Sequence, residues 1–269
     1  YLTEDIKGDV LVIGGGISGA LTAYFLAEEK YNVVVVEKNI VGFGLTISSN
    51  AILDYQFDIP MVRLGKYIGN THTENLYNLS KEAINSVEDI SKMLKNKKID
   101  FKRKDSIFLT NKFINKSILQ KENSIRNGLG FDTQFINSHE FLNFNSAIIS
   151  KKLAATMDPY MFTQELFAYL DTLDNVRIYE NTDIVDIIPN NSFVESISHN
   201  GFKIYTDKLV FANGIEALRY VDDLDVKLYK AFTIVSKPII SEKYFKSSTK
   251  ILVDWILLIY ISTFIHLWK

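Results

Sequence analysis

The first forty residues contain two continuous apolar runs, and between them apolar residues recur with the period of a helix. Val10 to Ile13 form an unbroken apolar run, which predicts a strand buried on both faces of a parallel sheet. A second β-branched run occupies 32–37. Between the two runs, apolar residues recur at helical spacing, at Ile17, Ala20, Leu21, Tyr24 and Phe25. The pattern therefore predicts a β–α–β unit.

The same two patterns predict alternating helices and strands farther along the chain. Residues 73–97 have an apolar side chain at every third or fourth position, which predicts a long amphipathic helix. Residues 101–110 predict a strand, followed by a helix that ends at glycines and a strand at 131–136. The remaining predicted elements are a helix at 157–170 and strands at 176–180, 192–199, 202–206, 208–212 and 230–237.

The turn after the first strand carries glycines in GxGxxG spacing, at Gly14, Gly16 and Gly19. The first glycine permits a tight turn, the second lets a diphosphate approach the main chain, and the third lets the helix pack closely on the strand. The N–H groups that begin the helix then face the anion. Glu37 ends the second strand about 20 residues on, where a carboxylate bonds a ribose hydroxyl. The sequence therefore predicts a dinucleotide site that prefers FAD or NAD over NADP.

Composition and charge exclude several other classes of function. The chain has 269 residues, 47% of them hydrophobic, which is enough to bury the core of one or two domains. The formal net charge of −2 gives no sign of the basic surface that nucleic-acid binding needs. Cysteine is absent, which excludes disulfides and thiolate chemistry. No metal site is expected, because the histidines are too widely separated, at 72, 139, 199 and 266.

The loop at 42–51, "GFGLTISSNA", carries the next signal. A plain NAD domain would continue into its next βα unit, whereas this loop supplies glycines and hydroxyls, at Gly42, Gly44, Thr46, Ser48 and Ser49. The order of "VIGGGISG", "VVVVEK" and this loop resembles the FAD-dependent oxidoreductases of the D-amino-acid oxidase, glycine oxidase and sarcosine oxidase type. In that family the loop contacts the phosphates of FAD and leads toward the flavin ring. Leu45 and Ile47 depart from the resemblance, which implies a small hydroxyl residue at position 45.

Later stretches extend the resemblance over residues 9–237. The helix at 157–170 follows an Asp-Pro turn, as in that family. The stretch "VRIYENTDIVDI" is similar to the family's adenine-side strand, which implies that Ile184 lies near the adenine. The stretch "KLVFANGIEA" resembles the family's Ala-Thr-Gly turn, which implies that Ala212 and Gly214 lie near the cofactor. Asn213 stands where the family usually has Thr, and this departure is mild because Asn tolerates turn conformations.

The resemblance implies an α/β fold with two interleaved domains. One is an FAD-binding, Rossmann-like domain of the GR2 type with a central parallel sheet, expected at 1–95 and 150–222. The other is a β-rich α+β substrate domain, expected in part at 96–149 and 223–269. The predicted cofactor-binding residues are Ile13, Gly14, Gly16, Ile17, Ser18, Gly19, Glu37, Lys38, Gly44, Thr46, Ser48, Ser49, Ile184, Ala212 and Gly214.

The reaction implied by the resemblance is oxidation of a C–N or similar bond next to a carboxylate, with hydride transfer to FAD. The expected partner is a small amine or amino acid, and no nucleic acid is expected. Arginine and tyrosine side chains are usual in such sites. Arg63, Arg103 and Arg219 are candidates by residue type, and Tyr55 and Gln56 are candidates to approach the flavin because they follow the second loop. No catalytic residue is assigned. Two alternatives stay open: an inactive fragment that binds FAD or ADP, and an NAD-dependent dehydrogenase.

The C-terminal region departs from the family. Nothing in it matches the glycine-rich segment that closes over the flavin in family members, so the resemblance implies a C-terminally incomplete oxidoreductase. Residues 251–268 are instead almost entirely apolar. A membrane span needs about 20 such residues, so membrane attachment stays open, although a buried strand or an apolar tail fits this run better. A cytoplasmic location is otherwise expected.

Overall fold

A computed structural model describes residues 1–50, 52–110, 116–137, 146–220 and 250–252. Within these residues the chain forms five α-helices and eleven strands. In chain order they are β1 (Ile6–Ile13), α1 (Ile17–Glu28), β2 (Val33–Val36), β3 (Ile52–Leu53), α2 (Met61–Ile68), α3 (Asn70–Leu94), β4 (Lys102–Thr110), α4 (Lys116–Gly128), β5 (Thr133–Ile136), β6 (Ser146–Thr156), α5 (Pro159–Leu170), β7 (Val176–Tyr179), β8 (Ile184–Pro189), β9 (Val194–Ser198), β10 (Lys203–Phe211) and β11 (Lys250–Leu252).

The chain divides into two compact units, each made of several stretches. Unit 1 comprises Tyr1–Ala51, Ser91–Asp100 and Met157–Val226, and unit 2 comprises Ile52–Ile90, Phe101–Thr156 and Lys227–Lys269. Among the described residues the expected boundaries differ from this division at 52–90, 96–100 and 150–156. The largest of these stretches, 52–90, was expected in the FAD-binding half. These residues join unit 2 because Tyr77 and Ile84 of α3 belong to the same buried cluster as Phe131 and Leu153. The cofactor and substrate roles of the two units stay predictions.

Unit 1 is built on a six-stranded sheet in the order β7-β2-β1-β10-β9-β8. β1 pairs in parallel with β2 and β10, and β2 pairs in parallel with β7. β8, β9 and β10 form an antiparallel meander. The predicted strands at 202–206 and 208–212 are wrong as two elements, because β10 continues through Asp207 and pairs with β1 up to Phe211. The parallel sheet within a mixed α/β architecture confirms the predicted fold class.

β2 and the second half of β1, Val10 to Ile13, are apolar throughout because both of their faces are buried. Leu11, Ile13, Val34 and Val36 belong to one buried cluster, which also contains Ile204 of β10. The alternate positions point to the opposite face and are also buried. α1 contacts β1 and β2, and its buried residues are small: Gly19, Ala20, Ala23 and Ala27. Small side chains let the helix lie close to the sheet.

Unit 2 is organised around β6, a strand that the sequence pattern does not predict. β6 pairs antiparallel with β4 along one edge and with β3 and β5 along the other, while β11 pairs in parallel with β4. α2, also not predicted, begins at Met61, which is buried in the same cluster as Tyr55 and Tyr77. The predicted helix at 73–97 and strand at 101–110 correspond to α3 and β4.

Some expectations concern residues that are not described. The predicted strand at 230–237 lies wholly outside the described residues. Of the apolar run at 251–268, Ile251 and Leu252 belong to β11, and the rest lies outside the described residues. Within the part of the chain that the structure describes, no helix is long and apolar enough to cross a membrane.

Candidate cofactor site

A cavity of about 500 Å³ lies in unit 1 where β1, β2 and β10 end. Every predicted cofactor-binding residue except Gly19 and Ser48 lines it. Open α/β sheets bind ligands in the crevice at the carboxyl ends of their strands, which is where this cavity lies. The cavity also has walls that the sequence analysis did not assign, formed by Val36, Asn39, Leu45, Thr182, Asp183, Asn213, Ile215, Glu216 and Tyr220.

The first glycine loop is shaped by close backbone approaches. Gly14 has a φ of +114°, and a Cβ there would lie 2.6 Å from the carbonyl oxygen of Ala212. A Cβ on Gly19 would lie 1.9 Å from the carbonyl oxygen of Gly14. Gly19 therefore packs the helix against the loop and does not face the cavity, which is the role that the third glycine of the motif has.

The second loop is joined to the first by two hydrogen bonds. Gly42 N–H donates to the Gly15 carbonyl at 2.8 Å, and Ile17 N–H donates to Thr46 Oγ1 at 3.0 Å. The residue before α1 is Gly16, which has no side chain to cap the helix. Thr46 therefore supplies the cap from 29 positions away. Its O–H remains able to donate to an anion in the cavity.

Glu37 is held by the backbone on both of its carboxylate oxygens. Oε2 accepts from Gly15 N–H and Oε1 accepts from Asn39 N–H, both at 2.8 Å. A carboxylate offers about four acceptor positions, so Glu37 keeps capacity for ligand hydroxyls. The two bonds place the carboxylate beside the glycine loop before a ligand binds.

The wall at Ile184 comes from residues far along the chain. Tyr220 O–H donates to the Ile184 carbonyl at 3.0 Å, and its ring stacks on Phe211 with 4.8 Å between ring centroids. Burial, and then the charge of Asp183, raises the pKa of the Tyr220 hydroxyl, which therefore stays neutral at physiological pH. Ile184 itself is buried. This wall is apolar next to a fixed hydroxyl, which suits the edge of an aromatic base.

The charges around the cavity favour a ligand without an additional phosphate on its ribose. Glu37, Asp183 and Glu216 are acidic, and Lys38 is the only basic residue among the described residues that line it. Lys38 forms an ion pair with Glu216, which offsets its charge. A 2′-phosphate near Glu37 would therefore meet negative charge, consistent with the preference predicted from the sequence.

The two apolar residues in the second loop do not fill the cavity. The Leu45 side chain is 65% exposed and that of Ile47 is 48% exposed. Leu45 lies at the rim, where its Cδ1 would be 3.6 Å from a Cβ on Gly214. Ser48 is exposed, and its N–H bonds the Leu45 carbonyl at 3.2 Å. Thr46, at 6% exposure, is the loop hydroxyl that the structure places deepest.

The three arginines that are candidates for substrate binding lie in different parts of the structure. Arg103 is taken up by Glu88 and Asn85, with its Nε 2.7 Å from the carboxylate of Glu88. Arg63 is exposed on α2 of unit 2. Arg219 is exposed in a short 3₁₀ helix of unit 1. These positions assign no substrate-binding role to any of the three.

Tyr55 and Gln56 are buried in unit 2, and both accept hydrogen bonds from an arginine that was not predicted from the sequence. Arg126 Nη1 donates to Tyr55 Oη at 3.0 Å and to Gln56 Oε1 at 2.6 Å. Glu122, one turn earlier on α4, pairs with Arg126, and both side chains are fully buried. The same carboxylate accepts from the backbone N–H groups of Met61 and Val62, which begin α2. Helical spacing of Glu122 and Arg126 was the sequence signal for this pair.

This chain is similar to a known protein family and to several solved structures. Residues 9–262 match the model of the FAD dependent oxidoreductase family, DAO. A Bacillus subtilis protein named for a Rieske 2Fe-2S iron-sulfur centre is 28% identical over 191 residues, which cover 69% of this chain and 36% of that protein. The structure resembles glycine oxidase of Geobacillus kaustophilus, with a TM-score of 0.64 and 20% identity, over 79% of this chain and 57% of that enzyme. It also resembles L-amino acid deaminase of Proteus vulgaris, with a TM-score of 0.63 and 17% identity, over 80% of this chain and 55% of that one.

Proposed function

The chain belongs to the family of FAD-dependent oxidoreductases, and on that premise we propose that it binds FAD in the cavity of unit 1 and oxidises a small amine or amino acid. One observation carries the proposal. Both glycine-containing loops meet at the start of α1, where Thr46 bonds Ile17 N–H and Glu37 is fixed beside Gly15. A helix start with this arrangement favours an anionic diphosphate next to a ribose.

The residues present fit the parts of FAD in order. Gly14 permits the tight turn, Gly16 lets the diphosphate approach the main chain, and the Thr46 hydroxyl can donate to it. Glu37 can accept from the hydroxyls of the adenosine ribose. The wall at Ile184 and Tyr220 suits the adenine. When bound, FAD supplies the acceptor for a hydride, and the protein binds it, orients it and adjusts its surroundings.

The substrate class is supported by the enzymes that share the fold. One is a glycine oxidase and another is an L-amino acid deaminase. The chain spans just over half the length of these two enzymes and about a third of the Bacillus protein. We therefore propose an amine or amino acid as the substrate of the whole protein, and assign FAD binding to unit 1.

The absorbance spectrum of purified protein tests the proposal most directly. A flavin band that is retained through gel filtration is expected, because unit 1 would hold the diphosphate and the adenosine of FAD. Colourless protein that added FAD does not reconstitute would contradict the proposal. NAD should not displace the flavin. FAD binding without turnover of any amine or amino acid would leave cofactor binding as the only function.

A further inference from the structure

Val41, the residue before the second loop, has both of its backbone groups bonded by side chains from distant parts of the chain. Its N–H donates to Glu180 Oε1 at 2.8 Å. Its carbonyl accepts from Gln164 Nε2 at 2.6 Å. Val41 is buried, and buried backbone groups are almost always paired, so these two contacts satisfy a requirement of the fold. Side chains 123 and 139 positions away therefore fix the start of the loop.

The two side chains belong to segments that are themselves held in unit 1. Gln164 lies on α5, which packs on α1. Glu180 follows β7, and two residues later Thr182 N–H donates to the Glu37 carbonyl at 2.9 Å. Neither Gln164 nor Glu180 is among the described residues that line the cavity. They therefore act on a ligand there through Val41 and not by direct contact.

The position of Val41 sets where the second loop begins relative to the first glycine loop. A Cβ on Gly15 would lie 2.8 Å from Val41 Cγ1, so the Val41 side chain packs directly against that glycine. The next residue, Gly42, has a φ of +79° and donates its N–H to the Gly15 carbonyl. A Cβ on Gly42 would lie 3.1 Å from the ring of Tyr160, which leaves little room for the chain to shift. The second loop therefore starts in close contact with the turn before α1.

Four residues after Gly42, the loop reaches the cavity through Thr46. Thr46 lines the cavity and accepts from Ile17 N–H at the start of α1. Gly44 and Leu45, just before it, are exposed, and a Cβ on Gly44 would meet no atom within 4 Å. Packing of these two residues therefore contributes little to the position of the Thr46 hydroxyl, which depends on the anchor at the start of the loop.

We propose that Gln164 and Glu180 are positioning residues for FAD: by fixing Val41, they hold the Thr46 hydroxyl at the start of α1, where the diphosphate binds. The inference rests on the proposed binding of FAD in unit 1. A loop that is held in its binding position before the ligand arrives loses less conformational freedom on binding, which raises affinity. Loss of either bond to Val41 should therefore weaken every ligand that carries the diphosphate.

Two methionine variants test this assignment through the dissociation constants of FAD and ADP, measured by flavin fluorescence and by calorimetry. Glu180→Met and Gln164→Met each remove one bond to Val41 and retain the length of the side chain. Each should raise the Kd of both ligands about fivefold. Glu180→Gln retains an oxygen that can accept from Val41 N–H, so its Kd values should stay within about twofold of the wild type.

Asn175→Leu is the control for general destabilisation. Asn175 precedes β7 at the end of the sheet opposite the cavity, and its Nδ2 donates to the carbonyls of Ala27 and Tyr31. This variant also removes bonds from a side chain to the backbone. It should therefore lower Tm and leave the Kd of ADP unchanged, whereas the two methionine variants should raise it.

A double-mutant cycle with Thr46→Val tests whether the effect passes through the second loop. Changes at residues that act through one another do not add. In the Thr46→Val protein, Glu180→Met should raise the Kd of ADP by less than about twofold, because the hydroxyl that Glu180 positions is already absent.

Unchanged Kd values in both methionine variants would overturn the assignment, and so would an equal fold increase with and without the Thr46 hydroxyl. Glu180→Gln that binds as weakly as Glu180→Met would also overturn it, because the hydrogen bond would then have no role. If one methionine variant does not fold, the other gives the same test from a different element. Wild-type protein that binds ADP but not FAD would refute the proposed function, and the ADP measurements would still decide the assignment.

Discussion

At the scale of single residues, the polar groups of the cavity already serve the protein before a ligand binds. Thr46 caps α1 through Ile17 N–H, and Glu37 accepts from Gly15 N–H and Asn39 N–H. A substitution at either residue therefore removes a contact within the protein together with a contact to the ligand. Both losses are measurable separately, as stability and as affinity.

Thr46→Val should weaken FAD binding and lower stability. Valine has nearly the same shape but leaves Ile17 N–H without its acceptor, and loss of a cap costs about 1 kcal/mol. The Kd of FAD should rise by about tenfold, the equivalent of one hydrogen bond of about 1.4 kcal/mol. Thr46→Ser is the matched control, because it retains the hydroxyl. Equal Kd and Tm values for Val and Ser would show that the hydroxyl has no role.

Leu45→Ser should tighten FAD binding. The side chain is mostly exposed at the rim, so its replacement removes little packing and introduces the hydroxyl that the family resemblance implies there. Titration of the apoprotein with FAD measures the effect, with Ile47→Ser as a control outside the cavity lining. Weaker binding in Leu45→Ser would indicate that Leu45 holds the loop against Gly214.

Asp54→Asn should change the pH dependence of stability. Burial raises the pKa of the Asp54 carboxyl, although hydrogen bonds from Ser106 and Gln56 lower it. The folded protein therefore holds this proton at a pH where the unfolded chain has lost it, so the contribution of Asp54 to stability falls as pH rises above about 4. The Tm of Asp54→Asn relative to wild type should rise between pH 4 and pH 7. The exposed Asp58→Asn is the control, and a pH-independent difference would contradict the prediction.

At the scale of elements, one carboxylate joins two helices of unit 2. Glu122 of α4 accepts from the first two N–H groups of α2 and pairs with Arg126 on its own helix. Arg126 in turn lies 5.3 Å from the ring centroid of Tyr77 on α3. A fully buried ion pair needs these partners, because an isolated buried charge is strongly unfavourable.

Arg126→Met should destabilise the protein strongly, because it leaves Glu122 charged and unpaired. Removal of one member of a buried pair costs about 3–5 kcal/mol. The double variant with Glu122→Gln should recover part of this loss, since the buried charge is also removed. Urea denaturation measures both. Lys203→Met, which breaks a partly exposed pair with Glu195, should have a much smaller effect. Additive losses in the double variant would contradict the argument.

The sequence pattern did not predict β6 because this strand buries polar side chains. β6 contains Ser146, Ser150 and two lysines, so it lacks the apolar pattern of a buried strand. Ser146 and Ser150 are nevertheless fully buried. Ser150 is accommodated because Tyr55, from a distant part of the chain, shares a hydrogen bond of 2.8 Å with it. A local pattern contains no information about such a partner.

At the scale of the whole molecule, each unit is assembled from separate stretches of the chain. The expected division into 1–95 and 150–222 kept 52–90 with the glycine loops because these residues follow them in sequence. The structure places them in unit 2, since α2 and α3 bury apolar residues against Phe131 and Leu153. Adjacency in sequence therefore did not predict the packing partner.

FAD should stabilise the protein against heat, whereas NADP should not. A ligand that binds only the folded state at 100 times its Kd adds about 2.7 kcal/mol. The acidic residues around the ribose position disfavour a 2′-phosphate, so NADP is the matched negative control. Differential scanning fluorimetry at equal ligand concentrations measures the shifts in Tm, with ADP expected between the two. An equal shift with NADP would refute the proposed ribose specificity.

The sequence by itself determined the β–α–β unit, the cofactor loops and the family, because strand burial, helix period and glycine spacing are local properties of consecutive residues. Thus Gly14, Gly16, Thr46 and Glu37 were predicted as site residues and line one cavity. Only the tertiary structure decided what Glu37, Thr46 and Arg126 bond, and that Thr182, Asp183 and Tyr220 line the same cavity. The hydrogen bonds of Glu37, Thr46 and Arg126 join positions up to 71 residues apart, and their partners depend on how strands cross and pair.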